Sequence, residues 1–502
     1  MNKRIIIKIF AVSLALALFV SIAGCDSNSN NSIVANTVVV EGESVPDGDS
    51  VPDEGFRVGY GRTDIMPEDP IPLGSYGNSL DRISTGYLNQ LYFSCIALTD
   101  DEDTTMLLMT YDITQPTDDI LNNLKNYASE KYGIDKNYVH LSGTHTHSSV
   151  DLSLDVKVVN DYKVKLYLAA HEAIDLAMAD RKKATIYAGE TQTEGLNFVR
   201  HYLRSDGTIA GDNYSILSTA PVIKHYKDPD SSMRLIKFCR ENSKGEKVKD
   251  IVMMNWQAHN HLTGGFQKTD ISADFTGACR EYMEEKKDCY FNFFQGCAGN
   301  LNEQSSFFPE LNRTTDFNEY GKLLAGYALD VYDKLDSYKT GKIKSTEKDF
   351  VGPAIHRFDS KLDNAREVIS AYNAAGKNES AIKDLCIKYG LTGSICAKAI
   401  INRSTKDKTV TMPVYAYSIG DDIGFASAPV EFFDVLGQQI RKGSPYKLTF
   451  SQGYTDGSTF GYMPSSDLYD YGCYEVCNSK FEQGAGEMCA DQLISMLKDL
   501  HN

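Results

Sequence analysis

The chain reads as an α/β protein with one large folded region over residues 55–502. Three observations predict this. Short runs rich in β-branched and aromatic residues alternate with amphipathic helical stretches, as strands and helices do when they share one layered core. No second linker, change of composition or long repeat breaks the roughly 450 residues after the N-terminal 54, although that length exceeds an average domain. Polar motifs bearing histidine, glycine or glutamate recur just after strand-like runs, where α/β proteins gather their ligands.

The elements follow in order. Leu107 to Tyr111 is an apolar run of strand length, and Asp118 to Tyr132 has helical spacing. Tyr138, Val139 and Leu141 make a strand ending, which Gly143 and Thr144 release into a loop. Asp161 to Ala179 carries apolar residues at helical spacing. Ala184 to Ala188, Met233 to Phe238 and Ile251 to Trp256 read as strands. Phe275 to Glu285 is helical, with Ser272 or Asp274 as its cap. Tyr290 to Phe294 is a strand and Glu319 to Leu335 a helix. Residues 360–403 are helical, and strands return at Val414 to Ser418 and Ile423 to Ala426. Helices over about Glu431 to Ile440 and Ala485 to Leu500 complete the chain.

The N-terminus is excluded from the fold. Met1-Asn2-Lys3-Arg4 precedes an apolar run from Ile5 to Ala23, closed by Ser21-Ile22-Ala23-Gly24-Cys25. A basic start, an apolar stretch and small residues before the cut describe an export signal. Cysteine directly after Ala-Gly is the pattern of a bacterial lipoprotein signal, so residues 1–24 are expected to be removed and Cys25 to be acylated. Two or more acyl chains hold a protein firmly on a membrane. The expected location is the bacterial cell envelope, outside the cytoplasm. Residues 25–54 read as a flexible tether, rich in Asn, Ser, Asp and Gly, with the tandem Ser44-Val45-Pro46-Asp47 and Ser50-Val51-Pro52-Asp53.

The chain carries 51 basic and 68 acidic side chains, and loss of Lys3, Arg4 and Lys8 with the signal takes its net charge from −17 to −20. Such charge disfavours nucleic acid or anionic lipid as a broad-surface partner. Ten cysteines remain besides Cys25, none in a Cys-x-x-Cys pair, which argues against a cysteine-zinc or thioredoxin site. Cys386 with Cys396, and Cys473 with Cys477, are close enough for local disulfides in an exported protein. Cys95, Cys239 and Cys289 lie in strand-like runs and read as buried thiols.

The motif that carries most chemistry is His140-Leu141-Ser142-Gly143-Thr144-His145-Thr146-His147-Ser148-Ser149-Val150-Asp151. Histidines at i and i+2 of an extended segment point the same way. That puts both imidazoles on one metal, or one on the metal and one on a substrate; ordinary loop histidines are the plainer reading. After the strand ending at Trp256 comes Gln257-Ala258-His259-Asn260-His261. After Phe294 comes Gln295-Gly296-Cys297-Ala298-Gly299-Asn300, whose glycines let backbone N–H groups approach a ligand or simply make a tight turn. Ser427-Ala428-Pro429-Val430-Glu431-Phe432-Phe433 passes from strand to helix and puts Glu431 in the first helical turn, where it serves a site or complements the helix dipole. His259 alone also reads as a hydrogen-bonded interior histidine.

Taken together, these motifs resemble the catalytic N-terminal domain of the neutral/alkaline non-lysosomal ceramidase family. The opening Gly59-Tyr60-Gly61-Arg62-Thr63-Asp64-Ile65 with Pro72-Leu73-Gly74-Ser75-Tyr76-Gly77 is similar to that family's start, and Leu141-Ser142-Gly143-Thr144-His145-Thr146-His147-Ser148 is its most specific string. Gly472-Cys473-Tyr474-Glu475-Val476 and Gly484-Ala485-Gly486-Glu487 also look familial, so the resemblance spans about residues 56–500. It implies mixed sheets flanked by helices in a single large catalytic domain. It implies zinc held by His145, His259, Glu431 of Pro429-Val430-Glu431-Phe432, and Tyr462 of Gly461-Tyr462-Met463-Pro464. It places His147 in the active site and makes Arg200 of Asn197-Phe198-Val199-Arg200 a substrate-binding residue.

That ligand set suits zinc, which takes histidine nitrogen and carboxylate oxygen and keeps a position for water in catalytic sites. Tyr462 binds the metal or stabilises an oxyanion, and His147 moves protons to the leaving group. The sequence departs from the family twice. Gly296-Cys297 stands where characterised ceramidases carry a serine once assigned as nucleophile, which leaves metal-activated water as the simpler attacking group and Cys297 as a small buried residue. The family's C-terminal immunoglobulin-like domain is expected to be missing. The leading reading is a lipid-anchored, zinc-dependent hydrolase of an amide bond in ceramide or another N-acylated lipid or sugar. The alternatives are a lipid-anchored solute-binding protein, which needs no metal, and a metal-retaining pseudoenzyme.

Overall fold

A computed structural model describes residues 54–212, 218–403, 407–471 and 473–502, all of which lie in the compact unit Val40–Asn502. The expected lipoprotein signal, Cys25 and nearly all of the tether lie outside these residues.

Two sheets form the centre. The first has eight main strands: β1 (Arg57–Asp64), β2 (Tyr92–Thr99), β3 (Thr105–Tyr111), β4 (Val139–Gly143), β5 (Lys182–Gln192), β6 (Ser232–Glu241), β7 (Asp250–Trp256) and β8 (Cys289–Gln295). They lie in the order β8-β7-β6-β5-β1-β2-β3-β4, and the short strand Asp336–Tyr338 pairs with β5. β3 with β4 and β7 with β8 are parallel; the other pairs are antiparallel. The second sheet is β9 (Ile343–Pro353), β10 (Thr409–Ile419), β11 (Ile423–Ser427) and β12 (Leu448–Gln452), side by side in that order, with β11 and β12 parallel. The mixed α/β architecture expected from the alternation is therefore present.

Alternation along the strands sorts the core into layers. Val58, Tyr60, Ile96, Leu98, Met106 and Leu108 point from the first sheet toward Tyr415, Tyr417, Phe425 and Phe450 of the second. Their neighbours Phe93, Cys95, Ala97, Leu107, Met109 and Tyr111 face the other way, onto helices α1 (Asp118–Tyr132) and α2 (Lys157–Ala179). Val252, Met254, Trp256, Phe291 and Phe293 pack against α3 (Asp274–Lys286) and α4 (Phe317–Tyr332). Helices α5 (Leu362–Ala374), α6 (Lys383–Tyr389) and α7 (Ser394–Arg403) form a side cluster with a small core of their own. Helices α8 (Asp434–Gly443) and α9 (Ala485–His501) cover the outer face of the second sheet. None of the described helices is long and apolar enough to cross a membrane.

Helix α1 has the expected bounds because Asp118 and Asp119 open it and Gly133, at φ +69°, closes it in the left-handed conformation. Three expectations need correction. Glu431 is not in a helical turn: Glu431–Phe432 is a short strand paired in parallel with Tyr462–Met463, and the helix starts at Asp434. The helix expected to reach Leu335 stops at Tyr332. No disulfide joins the described cysteines, and Cys396 hydrogen-bonds to Cys477 instead of facing Cys386 as a partner. The side cluster docks α7 against the turn Tyr474–Cys477, and this tertiary contact decides which thiols meet.

Candidate metal centre

The edge strands β4 and β8 lie at opposite ends of the first sheet, yet the sheet curls until they approach one another. The loops after β4 and β7 are thereby laid side by side. Thr146 and Asn260 form a parallel bridge, and the His147 N–H donates to the Asn260 carbonyl at 3.0 Å. The two histidine motifs, more than a hundred residues apart in sequence, become one cluster.

Four donors converge there. The Nε2 atoms of His145 and His147 are 3.2 Å apart, and Glu431 Oε2 lies 3.6 Å from His145 Nε2 and 3.4 Å from His259 Nε2. The ligand atoms of His145, His147 and His259 all lie within 4.8 Å of one another. The segment is not extended, as the sequence suggested: His145 has φ +63°, and this left-handed residue brings the imidazoles together.

Backbone carbonyls set the tautomers. His145 Nδ1–H donates to Thr114 O at 2.8 Å, and His259 Nδ1–H donates to Ala298 O at 2.9 Å and Leu301 O at 3.0 Å. A carbonyl accepts only, so each Nε2 presents a lone pair to the cluster. Metal-binding histidines are held in this way by a partner on the other ring nitrogen. His147 differs, since its Nδ1 is buried without a partner. Burial lowers the pKa of all three imidazoles, and Glu431 partly opposes this at His145. The two pinned imidazoles of His145 and His259 and the Glu431 carboxylate are donors that fit a divalent cation such as zinc.

The short parallel pairing of Glu431 with Tyr462 aligns the glutamate and the tyrosine. The Tyr462 hydroxyl lies near Glu431 and Arg200, and burial, then Glu431, keep its pKa well above the ordinary phenol value. Arg200 is buried and nearly saturated: its Nε donates to Glu475 Oε1 at 2.6 Å and its Nη2 to Gly299 O at 2.8 Å, while Nη1 lies 3.5 Å from His259 Nε2. Its guanidinium is 5.4 Å from the centre of the Tyr462 ring. All six residues singled out in the sequence, His145, His147, Arg200, His259, Glu431 and Tyr462, thus lie in one place.

The turn Gly296–Asn300 supports the centre but does not face a ligand. The N–H groups of Gly296 and Gly299 donate to Trp256 O and Phe432 O, both at 2.8 Å. A Cβ at Gly299 would stand 2.3 Å from the Glu431 carbonyl oxygen, so glycine is required by the approach of that backbone. Cys297 points away, into the core beside Gly437 and Ser451, and burial pushes its thiol pKa up to about 12.

A cavity of about 390 Å³ opens over His145, His147, Glu431 and Tyr462. Its walls mix Ile113, Val150 and Leu152 with Gln115, Asp151, Thr459 and Asn478. Beside the cluster, His261 Nδ1 meets Glu303 Oε1 at 2.7 Å; burial lowers the His261 pKa, but Glu303 outweighs it and the net shift is upward. A second cluster, His201, Cys473 and Glu475, is an ion network in which Glu475 serves both Arg200 and His201. Sequence reasoning missed Thr114, Tyr454, Glu303 and the roles of His261 and Glu475. The last two stood inside quoted motifs, whereas Thr114, Tyr454 and Glu303 had no local signal.

No family model matches the chain, and no curated protein sequence does. Among solved structures, neutral ceramidase from Pseudomonas aeruginosa superposes with a TM-score of 0.66 at 16% identity, over 90% of this chain and 75% of that one. A ceramidase complexed with C2 gives the same score and identity over 89% and 75%. The expected resemblance therefore holds as a shared fold.

Proposed function

We propose that this chain is a zinc-dependent hydrolase of an amide bond in ceramide or another N-acylated lipid or sugar, held on the outer side of a bacterial membrane through acylated Cys25. The observation that carries the reaction class is the convergence of His145 Nε2, His259 Nε2 and Glu431 Oε2, with both ligand tautomers pinned from behind. His145, His259, Glu431 and Tyr462 would hold the ion. When bound, zinc supplies Lewis acidity and a strong nucleophile from water near neutral pH.

The chain's own groups do the rest. The cavity admits the acyl-amide and orients it over the cluster. Where it does not complete the ligand set, the Tyr462 hydroxyl keeps its proton and donates it as a hydrogen bond to the oxygen that gains charge. Arg200, fixed by Glu475, adds a permanent positive charge behind Tyr462. His147, kept neutral by burial and lining the cavity, would take a proton from the attacking water and deliver it to the departing amine. The two fold relatives are ceramidases by name, and at 16% identity they support the fold while the site supports the reaction. The membrane anchor is supported by the leader and the Ala23-Gly24-Cys25 junction.

The test pairs elemental analysis with turnover on a panel running from N-acetylated amino sugars to long-chain ceramide. About one zinc per chain, with amide cleavage lost on chelation and restored by zinc, is the expected result. A protein without zinc refutes the metal assignment, and a zinc-loaded protein inert on the whole panel refutes the hydrolase.

A further inference from the structure

We infer that Tyr454 is a positioning residue that ties the loop carrying His145 to the segment carrying Glu431 and so sets the spacing of those two donors. The inference rests on the metal centre proposed above and concerns a residue outside its ligand set.

Tyr454 follows β12 by two positions, and its backbone spans the gap between the two ligand-bearing elements. Its N–H donates to Val430 O at 3.1 Å, beside Glu431, and its carbonyl accepts from the N–H of Gly143 at 3.0 Å, two residues before His145. Asp456 extends the strap along β4: its N–H donates to Leu141 O at 2.8 Å, and its Oδ1 accepts from Leu141 N–H at 2.9 Å. The side chain repeats the bridge. Its ring centre is 4.0 Å from that of His145, and its hydroxyl donates to Glu431 Oε2 at 3.4 Å, the long end of hydrogen-bond range.

The backbone adds an independent sign. Tyr454 has φ +58°, a conformation that is a genuine outlier for a bulky side chain and that persists where surrounding structure overdetermines it. His145, against which its ring lies, has φ +63°. Two residues in disfavoured conformations therefore face one another across the junction of β4 and β12, and the Tyr454 hydroxyl and ring hold a donor from each side. A tyrosine that only filled the core would need neither the hydroxyl contact nor the positive φ.

Tyr454→Phe removes the hydroxyl and keeps the ring; Tyr454→Leu removes both. Zinc dissociation constants by chelator competition should rise about tenfold to a hundredfold for Tyr454→Phe, the usual cost of losing a partner behind a ligand, and further for Tyr454→Leu. The thermal midpoint of metal-free Tyr454→Phe should stay within about 2 °C of the parent, which a merely structural role would not allow alongside weaker zinc. A crystal structure of metal-free Tyr454→Phe should show the Glu431 carboxylate turned away from His145. Unchanged zinc affinity overturns the inference. If the parent binds no zinc, the metal reading fails by itself, and the crystal structure still decides: Glu431 and His145 unmoved in Tyr454→Phe overturn the positioning role.

Discussion

Replacing His259 by alanine tests the metal centre most directly. His259 is 1% exposed, and its two ring nitrogens do different work: Nδ1–H is spent on the carbonyls of Ala298 and Leu301, and Nε2 faces Glu431. Four-ligand zinc sites bind with apparent free energies of about 10–16 kcal/mol. Shared evenly, that is about 2.5–4 kcal/mol per ligand, so losing His259 should weaken zinc by about 10²–10³-fold. The metal-free protein is destabilised separately: one forked hydrogen bond to carbonyls that keep backbone donors is lost, at about 1 kcal/mol, and the emptied ring site adds a cost for its cavity. The two effects are read apart by measuring zinc affinity through chelator competition and the unfolding free energy of the metal-free protein in urea. His259→Ala that keeps one equivalent of zinc with parental affinity would refute the assignment, whatever happened to its stability.

Three other outcomes are expected. His147→Ala should retain zinc while losing about 10²–10⁴ in turnover, the usual cost of one positioned proton carrier; Cys297→Ala, changed in the core and not in the cavity, should keep most of its rate, and a metallated but inactive Cys297→Ala would bring back a thiol nucleophile. Cys25→Ala should leave the membrane fraction or accumulate as precursor, and mature, membrane-bound Cys25→Ala would count against acylation. The metal-free protein should lose stability as pH falls below about 6.5: His145, His147 and His259 have lowered pKa values in the folded state, so the unfolded chain binds more protons in that range. His261 and Asp274, whose pKa values are raised, act in the opposite sense in this range and Glu431 does so at lower pH, whereas His171, lowered to about 4, adds to the three imidazoles. Urea titrations at pH 7.5 and 5.5 check the sign, and equal stabilities would mean that the three imidazoles are not held neutral.

The sequence alone placed most of the elements and named the residues that the structure gathers into one cluster. Period-2 and period-3.6 burial is written locally, which is why α1 carries its own start and stop and why β4, β7 and β8 were found at the motifs they precede. Histidines and glutamate placed just beyond strand ends were legible for the same reason. Only the tertiary structure decided which of these ends meet. His145 and His259 belong to opposite sides of an eight-strand succession, and they join because the sheet's accumulated twist closes it on itself, a property of no single segment. Glu431 looked like a helix start, yet pairing with Tyr462 across thirty residues satisfied its backbone better than a first helical turn, which leaves N–H groups unbonded. Tyr454, Thr114 and the Cys396–Cys477 contact were invisible for one reason: each acts on a partner distant in sequence, and local composition does not record what long-range packing brings alongside.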